Sequence, residues 1–307
     1  MRSSLDRSTF SAFFIMVFLA GFNAIGVRFI VMELQPFWAA TIRFAPAALL
    51  LLLISLFLRL PLPKGVSLIG AIIYGALNFG GSYSFLYWGL QRVQAGMAQV
   101  ILALVPLLTL LFAIAHRQEG FRLRSLIGAI LAVCGISLVF VEQVRANVPF
   151  VYLLAIVLGA VCLAESSVII KSFPMGNPIP TNFVSMASGA LILYVVSIIF
   201  HETPAIPSQL TTWISLVYLI LFGSCAVFIL VLFILKRWTA SAMSYSLVLT
   251  PFVTVVASAW LTQEKLSPAL LAGAALVIAG VYIGAIRTAG ASQVEEATIS
   301  QIEEISE

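Results

Sequence analysis

The sequence predicts an all-α membrane protein in which ten transmembrane helices form two inverted-topology five-helix repeats around a central cavity. Three observations carry this prediction. Of 307 residues, 62% are hydrophobic and only 9% charged, whereas about a quarter of a soluble chain is charged. Apolar runs of about 20 residues, each able to cross a hydrocarbon core about 30 Å thick, recur along the whole length. One long stretch also occurs twice. At a constant offset of 145 residues, Arg92 falls on Arg237, Pro106 on Pro251, Thr109 on Thr254, Gln118 and Glu119 on Gln263 and Glu264, and Gly128 and Gly135 on Gly273 and Gly280. Leu and Ala coincide in any two apolar segments. Pro, Thr, Gln-Glu and paired Gly in one register mark a duplication.

In chain order the ten spans are 9–31, 37–58, 66–88, 95–115, 123–141, 149–170, 179–200, 212–234, 241–261 and 268–286, numbered 1 to 10 below. The runs lack the alternation of barrel strands, which leaves helices as the spanning structure. The breakers fall between them, at Gln35-Pro36, Pro61-Leu62-Pro63, Pro174 to Pro180 and Pro204 to Pro207. The first run follows Arg2 and Arg7 as a signal peptide would. It is too long for one and contains Asn23 and Arg28, so a retained helix is expected. The chain then divides into a cytoplasmic N-terminus (1–8), a first repeat (9–141), a linker (142–148), a second repeat (149–287) and an acidic cytoplasmic tail (288–307) expected to be disordered. Cys134, Cys162 and Cys225 lie inside apolar runs without metal-ligand spacing and read as small core residues.

Lys and Arg set the orientation. With the N-terminus in the cytoplasm, eleven basic residues fall at cytoplasmic ends and three, Arg92, Arg145 and Lys265, on the other side. Both termini are therefore expected in the cytoplasm. Five spans per half is an odd number, so the second repeat enters the membrane upside down. Inverted repeats with a site near the midplane characterise secondary transporters. A channel or a membrane enzyme has no particular need of them.

On these residues the chain resembles the drug/metabolite transporter superfamily in its ten-helix form with two EamA-type repeats. The resemblance is carried by the Asn23 region, the Ile42-Arg43-Phe44 run, and the repeated Pro-x-x-Thr followed by Gln-Glu and a Gly-spaced helix. It extends from about Phe13 to Ile286. Overall the chain is most similar to the bacterial aromatic amino acid exporters. The resemblance implies a bacterial inner-membrane exporter, a cavity formed by spans 1, 3, 4, 6, 8 and 9, and spans 5 and 10 on the outside.

Polar groups within spans are costly unless they face protein or water, so the few present are the candidates. On span 3, at 100° per residue, Tyr74, Asn78, Gly81, Phe85 and Trp88 share one face. Such a stripe suits stacking on a flat ring and bonding a polar tip; helix packing is the alternative. On span 9, Ser244 and Tyr245 form a polar stripe that the repeat relates to Gln99 and its neighbours on span 4. Asn23 on span 1 is a further cavity candidate. Glu165 is the one acidic residue deep within a span. It could bind a substrate ammonium, carry a coupled proton, or sit as a hydrogen-bonded carboxyl between helices. Arg28 and Arg43 read as snorkelling or capping carbonyls, with attraction of a substrate carboxylate as the alternative. Pro106 and Pro251 each free a backbone carbonyl midway along spans 4 and 9 and suit gating bends. Glu119 and Glu264 read as loop-structuring residues.

No catalytic or metal constellation is found. His116 and His201 are expected at opposite membrane faces, Asp6 is the one aspartate, and no Gly-rich phosphate loop exists. Several midplane Lys or Arg, as a phosphorylated substrate would need, are absent. No cofactor and no nucleic acid is implied. The expected partners are the lipid bilayer, a small-molecule substrate, and protons if transport is coupled to them. Export of aromatic or other apolar amino acids by alternating access is the leading expectation. A carrier of another metabolite, or of aromatic or amine cations, is the alternative.

Overall fold

Every predicted span that can be followed in full is helical. The computed structural model describes residues 7–118, 120 and 148–240, with isolated positions between 123 and 135 and between 243 and 279. Among the described residues, seven helices are long and apolar enough to cross a membrane: Ser8–Val31, Pro36–Phe57, Val66–Leu90, Met97–Ala115, Phe150–Lys171, Pro178–Ile199 and Leu210–Leu235. These are spans 1 to 4 and 6 to 8. Spans 5, 9 and 10 lie largely outside the described residues, as do most of the linker and the whole tail. Pro36 and Pro178 open spans 2 and 7, where a missing N–H costs nothing. The Asn177 side chain caps span 7 by accepting from Ile179 N at 3.0 Å.

Four of the seven depart from the uninterrupted helices that apolar runs predict. Span 1 breaks at Phe22 into Arg7–Gly21 and Asn23–Val31. Span 4 breaks into Ala95–Leu102 and Val105–Ala115. Pro106 is therefore not within one continuous helix but in the first turn of the second piece, where its lack of an N–H is tolerated. Spans 3 and 8 each pass through a π-helical segment, Ala76–Ser82 and Leu219–Ala226. Moved by the repeat offset, 76–82 becomes 221–227, so the two segments nearly coincide. Single π turns inside α-helices mark functional positions in many proteins.

Contacts fix the direction of each described span. Phe10 stacks on Trp238 with ring centroids 5.2 Å apart. Gln118 Nε2 donates to Val168 O (3.1 Å) and Ser172 Oγ (3.0 Å). The start of span 1 thus shares one face, the N-terminal face, with the ends of spans 4, 6 and 8. At the opposite face Glu202, after span 7, accepts from Phe37 N (3.1 Å) and Trp38 N (2.6 Å) at the start of span 2. Glu33, after span 1, accepts from Ser208 N, from Ser208 Oγ (2.7 Å) and from Gln209 N (3.3 Å). The Thr212 hydroxyl, then the Ser208 N–H and hydroxyl, hold the Glu33 carboxyl at about 2. A depressed pKa stabilises above the ordinary carboxylate range, so this contact weakens only as pH falls toward 2.

Close packing comes from small residues, as in other membrane bundles. A Cβ at Gly75 of span 3 would lie 2.2 Å from Ser185 O of span 7, and one at Gly189 2.3 Å from Phe79 Cβ. Spans 2 and 7 run alongside in opposite directions, with Phe37 and Phe200 rings 5.0 Å apart. Large apolar side chains such as Leu53, Phe57, Leu191 and Ile198 are left exposed, as a lipid-facing belt requires. Cys225 is buried, Cys162 half-buried and Cys134 exposed, so only Cys225 is fully the core residue expected.

Candidate functional site

Spans 1, 2, 3, 4, 6 and 8, with described positions of span 9, enclose a central cavity of about 1030 Å³ of atom-free space, its mouth included. Its wall is mostly aliphatic and aromatic, which makes the polar groups on it conspicuous. Asn23, Tyr74, Asn78 and Gln99 are all on this wall. Asn23 Nδ2 donates to Gly223 O at 3.3 Å, while its Oδ1 is buried without a partner. Asn78 meets Ser166 Oγ at 3.2 Å through one end of its amide, and the other end has no partner. Gln99 Oε1 is likewise buried and unpartnered. A buried polar atom left unsatisfied costs about 1–3 kcal/mol, so these groups are poised for something that enters.

Phe85 and Trp88 are not on the wall. Trp88 instead packs on Tyr152 of span 6, ring centroids 5.3 Å apart. The cause is the π segment: its wider turns shift the register, so a count of 100° per residue fails beyond Ser82. Past that point Tyr83, Leu86, Tyr87 and Leu90 face the cavity. Ser244, Tyr245 and Pro251 lie outside the described residues; their neighbours Met243 and Ser246 line the wall.

Glu165 does not line the cavity. Its Oε1 lies 2.8 Å from His116 Nε2, toward the N-terminal face, and its Oε2 is buried without a partner. Among the described residues, no acidic side chain lines the cavity.

Arg43 occupies the place that sequence reasoning left to snorkelling or capping. It is fully buried, at 0% exposure, and forms part of the cavity wall. Nε donates to Ser224 Oγ (2.9 Å), Nη1 to Tyr87 Oη (3.3 Å) and Nη2 to Gly223 O (2.9 Å). Cζ lies 4.7 Å from the Phe44 ring centroid and 5.1 Å from that of Tyr83. These two rings cover the guanidinium, so a wall residue is nonetheless fully buried. No described carboxylate is within ion-pair distance, although burying an ion costs several kcal/mol. The signal was available. Arg43 stands seven residues after Pro36, about 10 Å along the helix, which is deep for snorkelling.

Matching contacts stand at the two faces of the bundle. At the opposite face, Arg28 Nη1 of span 1 donates to Leu90 O (2.5 Å) and Gln91 O (2.9 Å) at the end of span 3. At the N-terminal face, Lys171 Nζ of span 6 donates to Leu235 O and Trp238 O, both at 2.9 Å, at the end of span 8. The repeat offset takes Leu90 to Leu235. Each latch is a cation on the carbonyls at a helix C-terminus, where the dipole favours positive charge. Arg28 thus caps carbonyls of a neighbouring helix.

The profile of the EamA-like transporter family matches residues 8–141 and again 150–285, nearly the whole chain in two copies. The chain belongs to the EamA-like transporter family. It is a multi-pass membrane transporter built from two EamA repeats, and its family gives no ground for reading it as an enzyme. Relatives include an uncharacterised transporter of Synechocystis, 25% identical over 87% of this chain and 86% of its own length. The uncharacterised inner membrane transporter YedA of Escherichia coli is 28% identical over 84% of each chain. Protein PecM of Dickeya dadantii is 24% identical over 81% and 82%. A solved crystal structure superposes with a TM-score of 0.65 at 18% identity, covering 92% of this chain and 98% of that one, and so shares the fold.

Proposed function

We propose that this EamA-family protein exports amino acids, aromatic or otherwise apolar, from a bacterial cell by alternating access. The observation that carries the reading is the cavity: apolar and aromatic, dotted with amides that each keep a buried atom without a partner, and flanked at its two faces by one cation–carbonyl latch within each repeat. In this reading the chain has ten spans in two inverted repeats. Its support is the direction of the described spans: 1, 3 and 7 run away from the N-terminal face, and 2, 4, 6 and 8 run toward it. Spans 1, 2 and 3 thus oppose their counterparts 6, 7 and 8, the arrangement that places a site where the halves meet. The Lys and Arg bias puts the N-terminal face in the cytoplasm, and the inner-membrane relative YedA agrees with a bacterial cytoplasmic membrane.

Opening either latch while holding the other exposes the cavity to one side only. The wall offers a ring-sized apolar space and few directional groups, which fits an apolar amino acid better than a sugar. A cationic substrate would meet Arg43 and, among the described residues, no acidic counter-charge. Reconstituted protein tests the proposal. Labelled phenylalanine or tryptophan should show saturable counterflow into preloaded liposomes. A panel of amino acids giving no counterflow would refute the substrate class. Tags in the loop at Arg117 and at Glu202 should report opposite sides, the first cytoplasmic; the same side for both would refute the topology.

A further inference from the structure

We propose that Arg43 is the anchor for the substrate's carboxylate, so that a free carboxylate on an apolar or aromatic body is what the carrier selects. This rests on reading the cavity as the transport site. A guanidinium has five N–H donors. The contacts to Ser224, Tyr87 and Gly223 use three of them, all on neutral oxygens; the Tyr83 hydroxyl also interacts with the guanidinium, and an arriving carboxylate would take its place. A guanidinium so placed suits bidentate capture of a carboxylate, the geometry for which Arg is used elsewhere.

The rest of the wall fits what such a ligand carries. Asn23 Oδ1 and Gln99 Oε1 are buried acceptors without partners. Two neutral acceptors can take N–H groups of an ammonium, and neither demands a full counter-charge. Tyr83, Leu86 and Phe228 give the body of the ligand an apolar bed. Among the described residues Arg43 is the single charged group on the wall. One cation matches a monocarboxylate; a phosphate dianion would leave charge uncompensated. The Tyr83 ring, 5.1 Å from Cζ, is the cover an arriving carboxylate turns aside.

The test is a competition series in wild-type proteoliposomes, reading counterflow of labelled phenylalanine and thermal stabilisation of the purified carrier. The unlabelled competitors share one ring: phenylalanine, 3-phenylpropionate, phenylalaninamide and phenethylamine. The two carboxylates should compete and stabilise. The amide and the amine should be weaker by about tenfold or more, the size of a lost charge-assisted hydrogen bond. Equal action by phenylalaninamide, or no action by either carboxylate, overturns the assignment. If 3-phenylpropionate is carried and phenylalanine is not, the amino acid reading falls and the Arg43 assignment stands. Arg43→Gln and Arg43→Lys should collapse the carboxylate-to-amide ratio, with Tyr87→Phe as a milder control. A folded Arg43→Gln carrier with the wild-type ratio would assign Arg43 to structure alone. Should both Arg43 variants fail to fold, the wild-type series still decides.

Discussion

Two helix crossings hold equivalent places in the two repeats and do different work. Span 7 crosses span 3, and span 2 crosses span 8. Arg43 and Ser185 each stand seven residues beyond the proline that opens their helix. At the first crossing Ser185 Oγ donates to Ala71 O (2.8 Å), and Gly75 and Gly189 bring the backbones together with no space to spare. At the second, the counterpart of Ser185 is a guanidinium bonded to Gly223 O and Ser224 Oγ. Later in the chain, where the offset is 145 residues rather than the 142 between the two opening prolines, Asn78 falls against Gly223. One copy offers a side-chain amide to the cavity, and the other offers a bare carbonyl that Arg43 and Asn23 share. Duplication supplied one scaffold, and the chemistry lies where its copies diverge.

The comparison breaks most visibly at the tight crossing. Gly75→Leu or Gly189→Leu would drive a side chain into Ser185 O or Phe79, neither of which can retreat. Overpacking costs about 1–3 kcal/mol or more, so these variants should lose stable expression and melt early in fluorescence-detected size exclusion. A wild-type melt for both would show that the crossing is looser than drawn. Gly223→Ala should behave differently. Its Cβ would fall 2.2 Å from Asn23 Oδ1, the end of a side chain that can rotate away. Melting should change little while transport drops several-fold, because the Asn23 amide leaves its place on the cavity wall.

Next in size are the amides that keep a buried atom without a partner. If the cavity is the transport site, Asn78→Ala and Gln99→Ala would each remove one hydrogen bond to substrate, worth about 0.5–1.5 kcal/mol. Counterflow affinity should weaken by about two- to tenfold with normal expression. Unaltered transport in both would leave the cavity without its polar recognition. The latches sharpen the same contrast between copies. Arg28→Ala frees the opposite face and Lys171→Ala the N-terminal face, so a cysteine placed at Ala98 should gain labelling from opposite sides in the two variants. Gain from one side in both would separate the latches from gating.

Much of this was legible in the sequence. Span ends were fixed by prolines and polar loops, and the repeat by its Pro, Thr and Gly register. The wall positions Asn23, Tyr74, Asn78 and Gln99 were visible as polar or aromatic groups that lipid would penalise. Beyond Ser82 the reading failed, because helical periodicity assumes a constant turn and the π segment breaks it. Tyr83 and Tyr87 were therefore passed over for Phe85 and Trp88. Arg43 was underread for another reason: an isolated arginine in a span has a cheap explanation in snorkelling, and its depth of seven residues beyond Pro36, which argues against that, was not weighed.

Glu165 gives the smallest expected effect and separates cavity from periphery most cleanly. As the one acid deep in a span it invited a role as ammonium ligand. The structure instead joins it to His116, the last turn of span 4 to span 6, off the cavity wall. The side chains of His116 and Glu165 are 38% and 21% exposed, so the pair is partly solvated; ion pairs of that kind contribute about 0–1 kcal/mol. Glu165→Gln keeps the size of the group and its bond to His116, so phenylalanine counterflow should keep its affinity within about twofold at neutral pH. A larger loss of affinity would return Glu165 to the cavity and undo the division argued from the two crossings. The same variant also reads out proton coupling, since it removes the carboxyl group without moving the wall. If the His116–Glu165 pair carries the coupled proton, pH-driven accumulation should vanish while counterflow survives. If coupling lies elsewhere, both should persist, and the pair is then a bolt between spans 4 and 6.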